Sequence, residues 1–513
     1  MKLFPKTPQI RLAAAISLAL GASAHAAQPM PANMEDMWKI IQQQQKEIEA
    51  LKTKSAQNEA LQQEINSLKE TQKKQNEVIK QAGTAPQTPT TASQQATGKG
   101  DLERKTDVLA GEVEKLKTQL YIPESREYKS QYGLGPAASN VYRVNKGLSI
   151  GGYGEAMYTN YADPRGDSIT NKDSADLERA VIYLGYKFND WIILNNEIEF
   201  EHASTGEGDE SKGEVSVEFS QLDFLLDPKY NVRAGLMLVP MGFINEMHEP
   251  TTFHGNRRPD VERYIIPSTW REMGAGLFGE ILPGLEYRMY AMNGLNADEF
   301  SNIGIKEGRQ GGSNGKAEDF AFSGRLDYSP DFVPGLLVGA ATFLGNSSQK
   351  DAVNFDGQGV DVFTQLYEGH IQYKYRGLEL RALGAWGKIN NTEFLNPSKG
   401  ADGPIGKENF GWYVEAAHDI MPFIWKGSSQ YLAPFFRVER YNTLAAVATD
   451  PDTGLPYDQS TGLDRWIYQA GLSYKPIDNI VIKADYRNIR DRKLVPADVP
   501  FGDEFNLGVG FIY

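Results

Sequence analysis

The sequence predicts an all-β fold, a 16-stranded antiparallel transmembrane β-barrel with a periplasmic N-terminal coiled-coil helix, and three observations predict it. First, the last ten residues alternate: Phe505, Leu507, Val509, Phe511 and Tyr513 share one face of an extended strand, and Asn506, Gly508, Gly510 and Ile512 share the other. Second, strands of this texture recur from about Leu148 onward, joined by connections that are alternately short and long. Third, an export leader opens the chain, yet no run of about 18 apolar residues follows it, so a membrane signal must come from alternation.

The closing strand follows from the cost of an edge. A terminal strand frays unless it is tied into a sheet. In hydrocarbon an unpaired edge cannot be hydrated, so the last strand is expected to pair with the first. Its terminal aromatic, preceded by alternating apolar residues, also resembles the carboxy-terminal signal of bacterial outer-membrane proteins.

At the other end Lys2, Lys6 and Arg11 form a basic region, Leu12 to Ala22 a short apolar core, and Ala24-His25-Ala26 a cleavage site, so residues 1–26 read as a signal peptide. The alternative, a helical anchor, needs a longer apolar core. Residues 27–81 read as a coiled-coil helix: Met34, Met37, Ile41, Gln44, Ile48 and Leu51 follow heptad steps, and Leu61, Ile65, Leu68 and Ile79 continue in a shifted register. Residues 82–100 are a flexible linker by composition. Residues 101–120 form a short second coiled-coil segment, with Leu102, Leu109, Val113, Leu116 and Leu120 on its seam, and 121–147 are a connector. A single amphipathic helix packing on its own domain is the alternative; the Gln-rich seam favours self-association, most simply as a homotrimer.

The 513 residues contain no cysteine, so an exported chain must be held by something other than disulfides; a closed hydrogen-bond ladder serves. With 25 Tyr, 23 Phe, 7 Trp and 50 Gly, the chain has the residues that girdles and tight turns need. Residues 1–120 carry 16 Lys and Arg against 13 Asp and Glu, and residues 121–513 carry 37 against 54; the net −14 thus divides into +3 and −17. That acidic excess excludes nucleic acid as a partner.

Sixteen strands are predicted within 148–513: 148–159, 177–188, 191–202, 214–226, 230–239, 273–281, 284–293, 319–328, 335–345, 362–375, 378–388, 409–418, 430–441, 465–475, 479–490 and 504–513. Short connections such as Asp227-Pro228-Lys229 and Arg376-Gly377 alternate with long ones, as periplasmic turns alternate with external loops. An even strand count returns both barrel ends to the periplasm. Trp466, Tyr468, Leu472 and Tyr474 form an outward row with aromatics at both ends, as lipid interfaces require.

The inward rows carry charge: Arg179, Lys187, Arg233, Arg288, Arg325, Lys374, Arg381, Arg437, Lys483 and Arg487, with acids such as Glu197, Glu199, Glu379 and Asp485 between them. Polar residues at every second position predict a water-filled lumen with these cations lining the pore. For any one of them the alternative is an ion pair across the lumen. The longest connection, 240–272, contains Arg257, Arg258, Arg263 and Arg271, whose guanidinium forks suit phosphate or carboxylate. They form a basic, anion-binding constriction if the loop folds inward; otherwise they pair with Glu246, Glu249, Asp260 and Glu262 and hold the loop.

No catalytic constellation emerges. His248-Glu249 with His254 has the wrong spacing for a zinc site, and Pro250 forbids the aligning helix. Asp450 to Gly454 lacks the ligand ladder of a calcium loop. No metal, cofactor or enzyme activity is therefore expected.

Four stretches, Gly152–Gly154, Gly235 to Gly242, Trp270 to Gly274 and the aromatic closing strand, give residues 145–513 a sequence that resembles the phosphate-selective porin O/P family. The resemblance implies a trimeric sixteen-stranded porin in which arginines and lysines guide anions to a basic constriction; among the loop arginines it matches Arg271. The barrel's acidic excess departs from that pattern. The expected function is an outer-membrane channel for passive diffusion of small hydrophilic solutes, with small-molecule anions such as phosphate or carboxylates foremost, embedded in the lipid bilayer and contacting lipopolysaccharide. The alternative is a structural anchor whose coiled coil tethers to peptidoglycan or a periplasmic partner.

Overall fold

The computed structural model describes residues 129–163, 172–202, 213–493 and 502–513. The signal peptide, both coiled-coil segments, the linker and the first part of the connector lie outside the described residues.

Sixteen strands are present among the described residues: β1 (Gly147–Asp163), β2 (Ser174–Lys187), β3 (Ile192–Glu201), β4 (Glu214–Asp227), β5 (Tyr230–Leu238), β6 (Arg271–Leu282), β7 (Leu285–Asn293) and β8 (Phe320–Tyr328). They continue with β9 (Leu336–Asn346), β10 (Phe363–Tyr375), β11 (Leu378–Ile389), β12 (Gly406–His418), β13 (Tyr431–Val447), β14 (Asp464–Ile477), β15 (Ile480–Asp491) and β16 (Asp503–Ile512). Each pairs antiparallel with its sequence neighbours, and β16 pairs with β1 to close the barrel. Tyr153 lies opposite Ile512 and Tyr158 opposite Leu507, so the seam runs most of the length of both strands. Closure leaves no edge to hydrate.

Each expected strand has its counterpart. The main differences are at the long-loop end, where β1 runs to Asp163 and β13 to Val447. There the apolar alternation stops while the hydrogen-bond ladder continues, so a pattern keyed to lipid ends the strand too early.

Alternation sorts the side chains as lipid demands. On β16 Phe505, Leu507, Val509 and Phe511 are exposed while Asn506 and Ile512 are buried. The same outward rows carry Leu326, Val338, Ile371, Val414, Leu472 and Ile482. Exposed aromatics stand at both ends of the rows: Tyr186, Trp191, Tyr230 and Tyr375 near the short turns, and Phe200, Phe320, Trp386 and Tyr468 toward the long loops. An apolar band bracketed by aromatics is the surface of a barrel seated in a bilayer.

The interior is not the uniformly polar lumen that alternation predicts. Tyr153, Tyr183, Phe219, Tyr290, Phe343, Tyr413, Tyr441 and Ile467 point inward and are buried, forming two apolar clusters inside the barrel. One cluster packs on the loop between β5 and β6. The other packs on residues 129–146, which precede β1 and include the short helix α1 (Asn140–Arg143). Alternation tells which face a residue takes but not what covers that face.

Candidate functional site

The loop between β5 and β6, residues 239–270, lies inside the barrel. Its apolar residues leave it no other stable position: Met241, Phe243, Ile244, Val261, Ile265, Ile266 and Trp270 are each 2% exposed or less. Burial of an aliphatic or aromatic side chain contributes about 1.5–3 kcal/mol, so these seven supply much of what holds the irregular loop in place. Asn245 braces its base: the Trp270 amide donates to Asn245 Oδ1 (2.6 Å), and Asn245 Nδ2 donates to the carbonyls of Val239 (2.7 Å) and Trp270 (2.9 Å). Glu262 ties its two limbs, accepting from the Ile244 amide (2.7 Å) and from the Tyr413 hydroxyl of β12 (2.6 Å). A side chain at Gly242 would strike that carboxylate, and its φ of +71 also favours glycine.

Inward cations grip the loop from the far wall. Arg437 on β13 is wholly buried; it bonds Glu415 and Glu439 at 3.0 Å each, reaches Gln469, and donates to the carbonyls of His254 (3.3 Å) and Arg257 (3.0 Å). Arg487 pairs with Asp260 (2.8 Å), Lys483 donates to the Gly255 carbonyl (2.9 Å), and Lys475 to that of Thr251 (2.8 Å). Asp485 on β15 accepts from both the amide and the side chain of Asn256.

Residues 129–146 form a strap across the β1–β5 side of the short-turn mouth. Leu134, Ala137, Ala138 and Val141 bury one face against Tyr153, Val181, Tyr183, Ile193 and Phe219. The amides of Ala137 and Ala138 donate to the carboxylate of Glu249 in the loop (2.8 and 3.1 Å). Tyr142 donates to Asp223 of β4, which Arg233 of β5 also holds at 2.8 Å. Loop and strap are therefore one interlocked filling.

Space remains on either side of this filling. Toward the long loops is a cavity of about 520 Å³. Its strand wall carries Glu155, Asp176, Glu178, Glu199, Glu201, Glu214 and Glu218, with Arg179 among them. Its opposite wall is made by two loops, 239–270 and 294–319, and carries Arg257, Arg258, Arg263, Lys306 and Arg309, with Arg271 at the start of β6. Toward the short turns a second cavity of about 600 Å³ is lined by Lys129, Lys374, Arg381 and Lys475, with Asp478 as its acid. Near both, a slit of about 10 Å³ passes Glu155, Glu178, Asn256, Lys483, Pro250 and Gly510. That is room for about one water molecule.

The four loop arginines predicted for a constriction thus share one cavity wall. Arg271 also pairs with Glu218 (2.6 Å) and Arg257 with Glu178 (3.7 Å), whereas Arg258 and Arg263 have no ion-pair partner among the described residues. The inward cations divide. Arg179, Lys374, Arg381 and Lys483 line the cavities or the slit. Arg233, Arg288, Arg325, Arg437 and Arg487 are buried in ion pairs, Arg288 and Arg325 both with Asp327 and Glu246. Lys187 donates to the carbonyl of Tyr142 in the strap. Sequence reasoning missed Lys306, Arg309, Lys475 and Lys129. Lys306 and Arg309 stand in the second-longest loop, and Lys129 precedes an i, i+3, i+4, i+7 apolar set, Leu134, Ala137, Ala138 and Val141; length and spacing are the signals that would have found them.

His248 sits at the loop's contact with β3, its Nε2 3.1 Å from Glu197 and its Nδ1 3.1 Å from the Asn245 carbonyl. Burial, followed by the charge of Arg258, lowers its pKa to about 3. A histidine held neutral when folded takes up its proton on unfolding, so it stabilises the fold fully above its ordinary pKa of 6.5 and loses that contribution as pH falls below it. At about pH 5 the loss is about 2 kcal/mol. Wild type is expected to lose melting temperature between neutral and acid pH faster than H248N does. Parallel melting curves would refute this.

No family model matches the chain. It is 36% identical over 391 residues to an uncharacterized protein of Aquifex aeolicus strain VF5, a match covering 74% of this chain and 84% of that one. Among solved structures it is similar to the OmpF protein of Salmonella typhi in complex with daunomycin, with a TM-score of 0.48 at 16% identity over 72% of this chain and 98% of that one. It is also similar to the trimer form of OmpT, an outer membrane protein of Vibrio cholerae, with a TM-score of 0.41 at 12% identity over 71% and 99%.

Proposed function

The chain belongs to one family with the Aquifex aeolicus protein, and from its geometry we propose that it is an outer-membrane porin, a channel for passive diffusion of small hydrophilic solutes with a preference for anions. One observation carries the proposal: an apolar-faced closed barrel encloses two charged cavities, and an inward loop narrows the space between them to a water-sized slit. Diffusion needs only weak binding at successive sites, so that a solute leaves as readily as it enters. The anion preference is supported by the short-turn cavity, where four cations face Asp478, and by the unpaired Arg258 and Arg263. The resemblance to the phosphate-selective O/P family makes phosphate and carboxylates the first solutes to test. In this reading the long loops face outward and the short turns and strap face the periplasm.

The test is the reversal potential of single channels in a salt gradient. Wild type is expected to favour the anion, and R257E/R258E/R263E to move the potential toward the cation. A cation-selective wild type would overturn the anion claim and leave the channel standing.

A homotrimer is part of the proposal. Gly324, Ala340, Gly369 and Gly384 lie on outward rows of β8–β11, giving a shallow face against which a second barrel can approach closely. Bulky residues there, as in G369W, should lower the trimer fraction in detergent.

The strap favours a second role as well. Its grip on the mouth gives the N-terminal region a firm attachment, which suits a tether to peptidoglycan or a periplasmic partner. Deleting residues 34–120 should then loosen the envelope without changing conductance.

A further inference from the structure

We propose that the cavity toward the long loops selects dipolar solutes, small molecules carrying both a carboxylate or phosphate and an ammonium group, as amino acids and short peptides do. This rests on the channel reading above and names the solute class of the same path.

Charge is divided unequally between the two walls. Seven carboxylates from β1–β4 stand on the strand wall against one arginine, Arg179, and one histidine, His202, which holds Asp176. That guanidinium is shared by the carboxyl groups of Glu155 (2.9 Å), Glu178 (3.4 Å), Glu199 (3.4 Å) and Glu201 (3.6 Å). Glu214 has no ion-pair partner among the described residues. The loop wall carries the reverse surplus: Arg258, Arg263 and Arg309 have no carboxylate partner among the described residues, and the acid lining that side, Glu307, is held by Lys306. The walls approach within bonding distance where Arg271 meets Glu218. Surplus negative charge therefore faces surplus positive charge across the width of a small molecule.

Such a field acts differently on solutes of equal size. A neutral polyol gains little from it. A simple anion is drawn to Arg258 and Arg263 but repelled by the carboxylates opposite. A dipolar solute satisfies both walls at once by turning its anionic group toward the loops and its ammonium toward the strands. The low dielectric of the protein walls concentrates that field across the path. At about 520 Å³ the cavity accommodates a solute of amino-acid to dipeptide size. Beyond the slit the short-turn cavity is basic without an acidic wall, so this sorting belongs to the entry side.

The experiment uses the full-length protein in liposomes and compares swelling rates for serine, glycyl-glycine and neutral polyols of matching mass. For wild type the dipolar solutes are expected to enter several-fold faster than their polyols. In R258Q/R263Q, with two of that wall's three unpaired charges removed, the ratio should fall toward unity. In a second variant, E201Q/E214Q, the ratio should fall likewise. A wild-type ratio near one, or a ratio untouched by either variant, overturns the inference while leaving the channel intact. Absence of swelling by every solute together with absence of conductance steps overturns the channel reading as well.

Discussion

Replacing Arg437 with methionine is expected to release the inward loop and raise single-channel conductance. The wholly buried guanidinium holds two carboxylates, Glu415 and Glu439, and two loop carbonyls, those of His254 and Arg257. Removing one partner of a buried ion pair costs about 3–5 kcal/mol, because the other is left charged without compensation. The barrel ladder is not the element that yields, since its backbone bonds persist. The loop segment over Arg437 yields, and water reaches the two carboxylates. Three measurements follow: larger conductance, cleavage by trypsin after Arg257, and a lower melting temperature. A triple variant, R437M/E415Q/E439Q, separates the contributions. It should recover most of the melting temperature, since no unpaired charge remains, but not the narrow conductance, since the bonds to the loop carbonyls are still missing. Unchanged conductance in R437M would mean that apolar packing alone seats the loop.

The strands were legible because their signal is local. Each needs only its own alternation and a turn residue at each end, and the register of β10 against β11 follows from the tight turn at Arg376-Gly377. The closing seam was legible for a similar reason, since a single strand with one apolar face fixes its own orientation. What occupies the lumen was not. Arg437, Arg487 and Lys483 read as pore lining because they point inward, yet the groups they hold lie some 180 to 230 residues away in the chain. No periodicity encodes such a contact. The inward aromatics misled in the same way: Tyr153, Tyr183 and Phe219 break a polar row for a reason visible only once the strap is seen covering them. The arginines of the loop were found as a set because four guanidiniums in one irregular segment are conspicuous. Their partners, Glu178 on β2 and Glu218 on β4, were not read as inward acids; of the wall opposite, Glu199 was read singly, and its joint role with the others requires the barrel to be closed.

The largest steric effect is expected from the closing strand's inner row. A Cβ at Gly510 would stand 2.5 Å from Pro250 Cβ and 2.8 Å from its Cγ, and one at Gly508 would stand 2.0 Å from Asn256 Oδ1. The small inward face of β16 is therefore the seat of the loop, and these glycines are required by close approach, not by backbone angle. Pro250 cannot swing aside as a flexible side chain would. The chain on its far side is anchored by Lys475 at Thr251, Lys483 at Gly255 and Asp485 at Asn256, and on its near side by the strap at Glu249. In G510V the loop can retreat only slightly, so the added methyl groups occupy the slit beside Lys483. Overpacking of this kind costs about 1–3 kcal/mol. Conductance is expected to fall sharply with a modest drop in melting temperature. G359V, in the loop between β9 and β10 where an added Cβ meets nothing within 4 Å, provides the control and should leave conductance unchanged. Combining G510V with R437M discriminates between a rigid and a yielding loop. If the loop is held as described, freeing it through Arg437 restores passage past the bulky residue, whereas a rise in conductance for G510V alone would show that the anchors around Pro250 do not hold.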